Sequence, residues 1–407
     1  MSLMVEGASR KEVEKTGIEG GELFEKVWAW ENLVAAWKKV KGNRGAAGVD
    51  EETIAIFDRQ WERNLRELQR ALREGKHQVS PVRRVYIPKS SGEIRPLGIP
   101  TLRDRIVQQA VRLVVEPLLE RKFSPVSFGF RPGRSPRDAH QAVVAYRKQG
   151  YRWVVDADIE SFFDRVDHGL LLSWVAEEIK DRAIFRLIRG WLKCGVMEEM
   201  RLRKLITGTP QGGVISPLLA NLYLHRFDRA MEARGYKLVR YCDDFVVFAK
   251  RRDKAQRALR YAGEVLGRLR LSLHPQKTRL TTFEEGFEFL GFLFKGNWKI
   301  PREGAVKAFK EKIKRLTRRQ QPLNRGELIL RVNEVIRGWG HFFKYGNSWR
   351  VFEKLDRYTR MRVRAFLDKK KATYFANYRY PNYLLKRWGL VFLLDLYPAG
   401  SYSLLRG

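Results

Sequence analysis

The sequence predicts an α+β fold followed, from near residue 296, by a basic and mainly helical domain. Between residues 150 and 295, short apolar segments typical of strands alternate with helical segments; the strand candidates are 152–157, 238–241 and 245–249. From Lys307 to Arg319, seven of thirteen residues are Lys or Arg, yet Phe309 and Ile313 keep one apolar helix face. A hydrophobic content of 44% supplies apolar side chains for cores in both parts.

The N-terminal part of the chain predicts helices and then a hairpin. Between residues 22 and 74, apolar side chains recur at steps of three and four, as at Leu23, Val27, Trp30, Leu33 and Trp37. The glycines in 41–45 predict a loop that interrupts these helices. A β-hairpin with a strand at 82–87 and a turn at 88–92 follows, and further helices are expected at 101–122 and 136–149.

The charge of the chain indicates a polyanionic partner. Its 80 Lys and Arg residues outnumber 46 Asp and Glu residues, and the net charge of +34 repels itself unless nucleic acid neutralises it. Membrane binding is the competing use of such charge, but no segment reaches the ~20 apolar residues of a span, and residues 1–15 lack the core of a signal peptide. We therefore expect a soluble, cytoplasmic protein without a membrane partner. Two cysteines, Cys194 and Cys242, exclude a disulfide framework and a cysteine zinc site.

Adjacent carboxylates carry the clearest chemical signal. Asp243 and Asp244 lie between two apolar runs, which predicts a tight hairpin turn whose like charges a divalent cation would compensate. A merely solvated turn is the alternative for an isolated Asp-Asp pair. Asp158 ends another apolar strand, and a third carboxylate beside the hairpin favours the metal site. Helix capping or solvation is the preferred interpretation of Asp156, Asp164 and Asp167.

Three carboxylates at one sheet edge suit phosphoryl transfer. Such a set can hold two Mg²⁺ ions ~4 Å apart, one activating an attacking 3′-hydroxyl and the other binding the triphosphate and the leaving oxygen. The sequence therefore predicts a nucleotidyl-transfer site at Asp158, Asp243 and Asp244.

The motifs of the chain, in their order, resemble those of the reverse transcriptases that group II introns encode. Tyr241-Cys242-Asp243-Asp244 resembles the family's Tyr-x-Asp-Asp box, and Asp158 falls on its first catalytic aspartate. Further motifs are matched by Ile87-Pro88-Lys89, by the segments 92–100, 127–135, 209–213, 216–221, 273–278 and 289–292, and by 332–343 in the C-terminal helices. Each motif alone is weakly specific, whereas the ordered set over nearly the whole chain is very specific.

The resemblance implies a right-hand polymerase with fingers, an antiparallel-sheet palm and a helical thumb, also called the maturase domain. Its parts would be an N-terminal extension with the start of the fingers, the fingers and palm, the thumb and a short tail, at 1–80, 81–295, 296–375 and 376–407. The implied activity is RNA-directed DNA polymerisation from dNTPs. Two Mg²⁺ ions, or Mn²⁺ in their place, would be bound by Asp158, Ile159, Asp243 and Asp244.

The resemblance also implies roles for individual side chains. Phe163 would exclude a 2′-hydroxyl as a sugar gate, with an ordinary core aromatic as the alternative, and Lys277 would protonate the leaving pyrophosphate. Lys89, Arg95 and Gln211 would bind the nucleotide, because cations on a hairpin suit a triphosphate and glycines beside Gln211 permit close backbone approach. Contacts to an RNA template, a DNA or RNA primer, or their RNA–DNA duplex are expected from Arg83, Arg105, Arg131, Lys307, Lys310 and Lys314.

Other functions stay open on the sequence alone. The chain could act mainly as a maturase that binds and folds intron RNA for splicing, or as a domesticated polymerase in phage defence, CRISPR spacer acquisition or DNA repair. An RNA-directed RNA polymerase is a further alternative, against which Phe163 argues. The sequence has no Cys-pair or His-Asn-His pattern of a nuclease. Because few residues follow position 375, we expect a separate DNA-binding domain to be short or missing.

Overall fold

The computed structural model describes residues 21–88, 94–198, 201–203, 208, 212–369 and 374–397. The chain forms two compact units. The first runs to Leu280 but excludes Arg152–Val154, and the second comprises Arg152–Val154 and the chain from Thr281 onward. The division therefore lies ahead of the boundary near residue 296 that the sequence predicts.

The first unit begins with helices, as the apolar spacing predicts. They are α1 (Glu22–Trp28), α2 (Trp30–Gly42), α3 (Ile54–Asp58), α4 (Trp61–Arg73), α5 (Leu102–Glu120) and α6 (Pro136–Lys148). The glycine-rich segment that the sequence assigns to a loop starts later than expected, since α2 continues to Gly42. Helices α7 (Phe162–Arg165), α8 (His168–Glu178), α9 (Arg182–Lys193), α10 (Ser216–Ala233) and α11 (Arg252–Arg268) follow.

Two sheets accompany these helices. The hairpin strands β1 (Val82–Pro88) and β2 (Ile94–Ile99) pair antiparallel and join β4 (Val196–Glu198) and β5 (Arg201–Arg203) in the order β2-β1-β4-β5. The other sheet has the order β6-β7-β3-β8, with β3 (Trp153–Asp158), β6 (Lys237–Tyr241), β7 (Asp244–Ala249) and β8 (Arg279–Thr282). The first two residues of β3 and the last two of β8 belong to the second unit.

The second sheet is packed against α10. The side chains of β7 are buried from Phe245 to Ala249, because apolar residues here cover both faces of the strand. Phe227 of α10 contacts Phe245 with ring centroids 5.0 Å apart. The sheet is therefore anchored through the strand that starts with Asp244, which limits the freedom of the turn before it.

The second unit combines a small sheet with helices. Strands β9 (Phe287–Phe289), β10 (Phe292–Lys295) and β11 (Trp298–Pro301) form an antiparallel sheet of order β11-β10-β9. Its helices are α12 (Glu303–Leu316), α13 (Arg325–Phe343), α14 (Trp349–Leu367), α15 (Tyr374–Arg379) and α16 (Asn382–Arg387), followed by a 3₁₀ turn at Leu393–Leu396.

Aromatic side chains hold this second unit together. Trp339 contacts Phe343, Phe309 and Phe352 with centroid distances of 4.3, 5.2 and 5.5 Å. Phe292 of β10 packs on Phe343 at 4.9 Å. The small sheet thus shares its core with the helices of the second unit. Among the helices of the described segments, none has the length and apolar character needed to cross a bilayer.

Candidate active site

The two adjacent aspartates occupy the hairpin turn that the sequence predicts. Strands β6 and β7 pair antiparallel with Tyr241 opposite Asp244, so that Cys242 and Asp243 form a two-residue turn. Cys242 has a φ of +61°, in the left-handed region that few residues other than glycine adopt. Burial raises the pKa of its thiol to about 12. The turn is tight, and a neutral thiol is enclosed beside the carboxylates.

Strand β3 brings Asp158 to the same turn. The main-chain N–H of Ile159 donates to the carbonyl oxygen of Asp243 at 3.4 Å, and Ile159 itself is buried. On the other side, the N–H of His274 donates to the carbonyl oxygen of Asp158 at 2.8 Å. The end of β3 is therefore tied both to the hairpin and to the segment that carries Lys277.

The carboxylates that meet here repel one another. Asp244 is half-buried, and loss of solvation, followed by the charges of Asp156, Asp158 and Asp243, raises the pKa of its carboxyl well above the ordinary value. Lys277 acts in the opposite direction but does not cancel the effect. Asp156, which the sequence assigns to capping or solvation, is therefore part of the same electrostatic cluster, whereas Asp167 caps α8 as expected.

The carboxylate oxygens of this cluster are suitable ligands for a divalent cation, but in this conformation they do not form a complete coordination shell. Within the described residues, no three His, Cys, Asp or Glu side chains are grouped closely enough to hold a metal ion in this conformation. The Nζ of Lys277 donates to Asp158 Oδ2 at 2.6 Å and so neutralises that carboxylate. Carboxylate oxygens are the ligands that Mg²⁺ prefers, and a cation would relieve the repulsion that raises the pKa of Asp244.

The cations beside the cluster are accessible. The side chain of Lys277 is 60% exposed while its ammonium contacts Asp158. Arg279, on β8, donates from Nε to Asp156 Oδ2 at 3.1 Å and is 55% exposed. An incoming phosphate group can therefore reach both side chains from solvent.

Phe163, the predicted sugar gate, follows the end of β3. It is half-buried and lies edge-on to the buried Phe162, with ring centroids 5.1 Å apart. Phe162 in turn contacts the buried Tyr223 of α10. The position of Phe163 is thus fixed from below by aromatic packing, and part of its ring is left accessible.

Several predicted nucleotide contacts cannot be placed. Lys89 and Gln211 lie outside the described residues, and for Arg95 the structure describes the backbone, which pairs with Ile87 in the β1–β2 hairpin. Gly212, the residue after Gln211, shows where this loop approaches the β1–β2 hairpin. A Cβ built on it would lie 2.5 Å from the carbonyl oxygen of Gly98, so the loop passes directly over β2. The contacts of Lys89, Arg95 and Gln211 stay predictions.

The three predicted phosphate contacts in the first unit differ in burial. Arg131 is buried and donates to Glu120 through Nε and Nη2, at 2.9 and 2.6 Å, and to the carbonyl oxygens of Ser124 and Ser127. Protein acceptors thus occupy the guanidinium of Arg131, and its phosphate contact stays a prediction. Arg105 is also buried and donates to the carbonyl oxygen of Ala46, while its Nε lacks a hydrogen-bond partner among the described residues.

Arg83 is half-buried on β1, and its Nε also finds no acceptor in the part of the chain described. In the second unit, Lys307, Lys310 and Lys314 are exposed along α12 at spacings of three and four, as one helix face requires. Lys310 lies over the ring of Tyr358 at 5.7 Å, and Lys314 is 3.9 Å from Glu311. These positions are compatible with phosphate contacts, which stay predictions.

A buried cation next to the aspartates is the main feature that sequence reasoning missed. Arg240, in β6, is 1% exposed and pairs with the equally buried Asp228 of α10. A signal was present in the sequence, since a single arginine interrupts the otherwise apolar run Leu238-Val239-Arg240-Tyr241. A charge within a buried strand requires a buried partner.

Two families match the chain in sequence. Residues 87–294 match the family described as "Reverse transcriptase (RNA-dependent DNA polymerase)". Residues 306–379 match the family described as "Group II intron, maturase-specific domain". The first match includes the turn with Asp243 and Asp244, the end of β3 and Lys277; the second begins within α12 and ends at α15.

Curated relatives agree with both matches. Protein YkfC of Escherichia coli is 35% identical over 303 residues, which cover 64% of this chain and 79% of YkfC. The group II intron-encoded protein LtrA of Lactococcus lactis is 40% identical over 199 residues, or 48% of this chain and 32% of LtrA. An uncharacterised 91 kDa protein in the cob intron of Schizosaccharomyces pombe is 35% identical, with 49% of this chain and 24% of that protein covered. The chain thus spans about a third of LtrA and most of YkfC.

Proposed function

The chain belongs to the reverse transcriptase (RNA-dependent DNA polymerase) family and carries a group II intron maturase-specific domain; from this premise we propose that it extends a DNA or RNA primer with dNTPs on an RNA template. One observation supports the proposal above the others. The carboxylates of Asp158, Asp243 and Asp244 are brought to one turn, where their mutual repulsion calls for a divalent cation.

The carboxylate cluster is the proposed metal site. Asp158, Asp243 and Asp244, with the main chain of Ile159, would hold Mg²⁺, for which Mn²⁺ would substitute. When bound, the metal ions supply Lewis-acid activation of the primer 3′-hydroxyl and neutralise charge on the triphosphate. The protein's part is to hold the carboxylates in place. The β6–β7 turn and the amide of Ile159 do so in the proposed site.

Lys277 has a proposed role in the leaving-group step. Its ammonium carries a proton and is held at Asp158 by an ion pair, yet the side chain is largely exposed. A triphosphate placed at the cluster would compete for the same ammonium, whose proton could then pass to the departing pyrophosphate oxygen. Arg279 is close by and would contribute charge, although it is bound to Asp156 in the free protein.

Selection of deoxynucleotides is proposed to rest on Phe163. The ring is half-buried and is held by Phe162, so it cannot move aside freely. A ribose 2′-hydroxyl placed against such a ring would lose its hydration and clash with it. We propose the nucleotide contacts of Lys89, Arg95 and Gln211 on the resemblance of their motifs alone.

The maturase-specific domain supports a second proposed activity on the same chain. Basic residues along α12, with Lys307, Lys310 and Lys314 on one exposed face, suit the phosphates of an RNA–DNA duplex or of a folded intron RNA. Promotion of group II intron splicing would use this surface without the carboxylates. The two activities are therefore separable by mutation.

Primer extension tests the polymerase proposal. Purified protein with an RNA template, an annealed primer, dNTPs and Mg²⁺ should extend the primer, and Asp243→Asn/Asp244→Asn should abolish extension while RNA binding persists. Asp253→Asn is a control, since Asp253 lies at the start of α11 with its side chain 43% exposed, and it should leave extension unchanged. Absence of extension by folded, RNA-binding protein would refute the polymerase proposal and leave splicing as the activity to assay.

A further inference from the structure

The guanidinium of Arg240 is shared between Asp228 and the catalytic turn. Its Nε and Nη2 donate to the two carboxylate oxygens of Asp228, each at 2.6 Å, and both side chains are 1% exposed. The remaining Nη1 donates to the carbonyl oxygen of Cys242 at 2.8 Å. Nη2 also donates to Ser127 Oγ at 2.8 Å. The hydrogen bond to Cys242 is made within the turn, one residue before Asp243.

A buried ion pair is by itself a poor source of stability. Removing two charges from water costs about as much as their attraction returns, and apolar residues of similar volume often serve the fold equally well. The bidentate contact with Asp228, however, fixes the plane of the guanidinium. The fixed plane directs Nη1 toward the turn, so the ion pair fixes the position of the Cys242 carbonyl oxygen.

A second element, the segment 126–129, holds the turn from the outer side of β6. The N–H of Arg240 donates to the carbonyl oxygen of Val126, and the N–H of Phe128 donates to the carbonyl oxygen of Arg240, at 2.9 and 2.8 Å. A Cβ on Gly129 would lie 2.6 Å from the main-chain nitrogen of Cys242. The segment is therefore in close contact with Cys242, the same turn residue to which Arg240 donates.

The segment is itself anchored, which makes it a rigid support. Arg131 binds Glu120 and the carbonyl oxygens of Ser124 and Ser127. Asn221, on α10, donates from Nδ2 to the carbonyl oxygen of Gly129 at 2.8 Å. Helix α10 thus supports the segment through Asn221 and binds Arg240 through Asp228. The two residues are seven apart and therefore lie on the same face of the helix.

We propose that Arg240, held by Asp228, is a positioning residue that sets the place of Asp243 and Asp244 by fixing the Cys242 carbonyl. The inference deepens the proposed polymerase function and rests on it. It also gives a role to the segment 126–131, most of which lies in the motif 127–135. The chemistry of the carboxylates does not by itself assign a role to this motif.

Two variants separate positioning from folding. Arg240→Lys keeps a buried cation beside Asp228 but lacks the fork that reaches Cys242. Arg240→Met/Asp228→Leu removes both charges at once and should keep the fold, because an apolar pair replaces a buried ion pair at little cost. Asp181→Ala is the control, since Asp181 is a buried helix cap that binds Ala183, Ile184 and Phe24.

Hydrogen–deuterium exchange of peptides spanning 238–248 reads the turn directly and does not depend on activity. Both variants should raise exchange at 242–244 by about ten- to a hundredfold, the equivalent of one lost hydrogen bond to a charged group. Primer extension should slow by a similar factor, and the Mg²⁺ concentration for half-maximal rate should rise. Asp181→Ala should lower the melting temperature but change neither the turn exchange nor the Mg²⁺ requirement.

Two other outcomes overturn the assignment, and a third bears on the polymerase proposal alone. Turn exchange that is unchanged in folded variants, or raised equally by Asp181→Ala, would show that Arg240 does not position the turn. Failure of both variants to fold would show that the pair serves the fold itself. A wild-type protein that extends no primer would refute the polymerase proposal, while the exchange measurement would still decide whether Arg240 holds the turn.

Discussion

Asp356 offers a quantitative test of the helical unit, because its burial makes stability depend on pH. It lies on α14, is 2% exposed, and accepts hydrogen bonds from the amides of Leu393 and Leu394 at 2.7 and 3.0 Å. Burial is the main cause that raises the pKa of this carboxyl from 3.8 to about 6, against the two amide bonds, which lower it. The carboxyl of Asp356 therefore connects α14 to the 3₁₀ turn Leu393–Leu396 through two hydrogen bonds.

The sign and size of the effect follow from linkage. The folded state holds the proton up to about pH 6, whereas the unfolded chain releases it near 3.8, so the folded state binds more protons between these values. The stabilisation is fully present below 3.8 and is lost as the pH rises through about 6. At 1.36 kcal/mol per pKa unit, this interval corresponds to about 3 kcal/mol.

Asp356→Asn removes the titration and tests this reasoning. The amide keeps one acceptor oxygen, so the missing hydrogen bond lowers the variant's stability by a pH-independent contribution of about 1 kcal/mol, to which the loss of the titration is added. The unfolding free energy of the wild type minus that of the variant should fall by about 2 kcal/mol between about pH 4 and pH 7, so that the variant is the more stable protein near pH 7. Acid effects on other groups cancel in this difference.

Urea titrations of the full chain can be monitored by hydrogen exchange of peptides from α14 and the 3₁₀ turn. This measures the unfolding free energy of the helical unit separately from that of the first unit. A difference that stays flat within about 1 kcal/mol, or that grows as the pH rises, would refute the assignment of a buried, late-ionising carboxyl to Asp356.

Two further predictions concern the site. Gly129→Ala should place a Cβ 2.6 Å from the nitrogen and Sγ of Cys242, and we expect a loss of about 1–3 kcal/mol in unfolding free energy together with slower extension. Gly267→Ala, on α11 with open space around it, is the control and should be neutral or slightly stabilising in thermal unfolding. Phe163→Ala should raise the kcat/KM for rNTPs relative to dNTPs by about tenfold or more, and an unchanged ratio in a folded variant would refute the sugar-gate role.

Local sequence predicted the elements of the fold more reliably than their partners. The strand candidates 238–241 and 245–249 correspond to β6 and β7 within one residue, because an apolar run of that length has few other uses. The strands β9–β11 lie in a part of the chain that the sequence assigns to the first domain, yet they group with the helical unit. The packing of Phe292 on Phe343 decides this, and it joins residues that no local pattern connects.

The carboxylates were predictable for a related reason. Asp243 and Asp244 follow directly from the hairpin, and Asp158 ends an apolar strand, so their placement depends on local structure together with one strand pairing. The sequence assigns Asp156 to capping or solvation, because its ion pair with Arg279 and its effect on Asp244 arise only when β8 and β7 flank β3.

The arginines show why burial decides the meaning of a charge. Arg131 and Arg240 belong to motifs near the aspartates, where a basic side chain suggests a phosphate contact, yet both are buried and give their donors to protein acceptors. An arginine that has satisfied its donors within the fold gains little from a phosphate and would have to give up its carboxylate partner to bind one. Arg105 is the opposite case, because burial lowers its pKa while its Nε lacks an acceptor among the described residues. Unused donor capacity is therefore the property that distinguishes Arg105 from Arg131, and the phosphate contact of Arg105 stays a prediction.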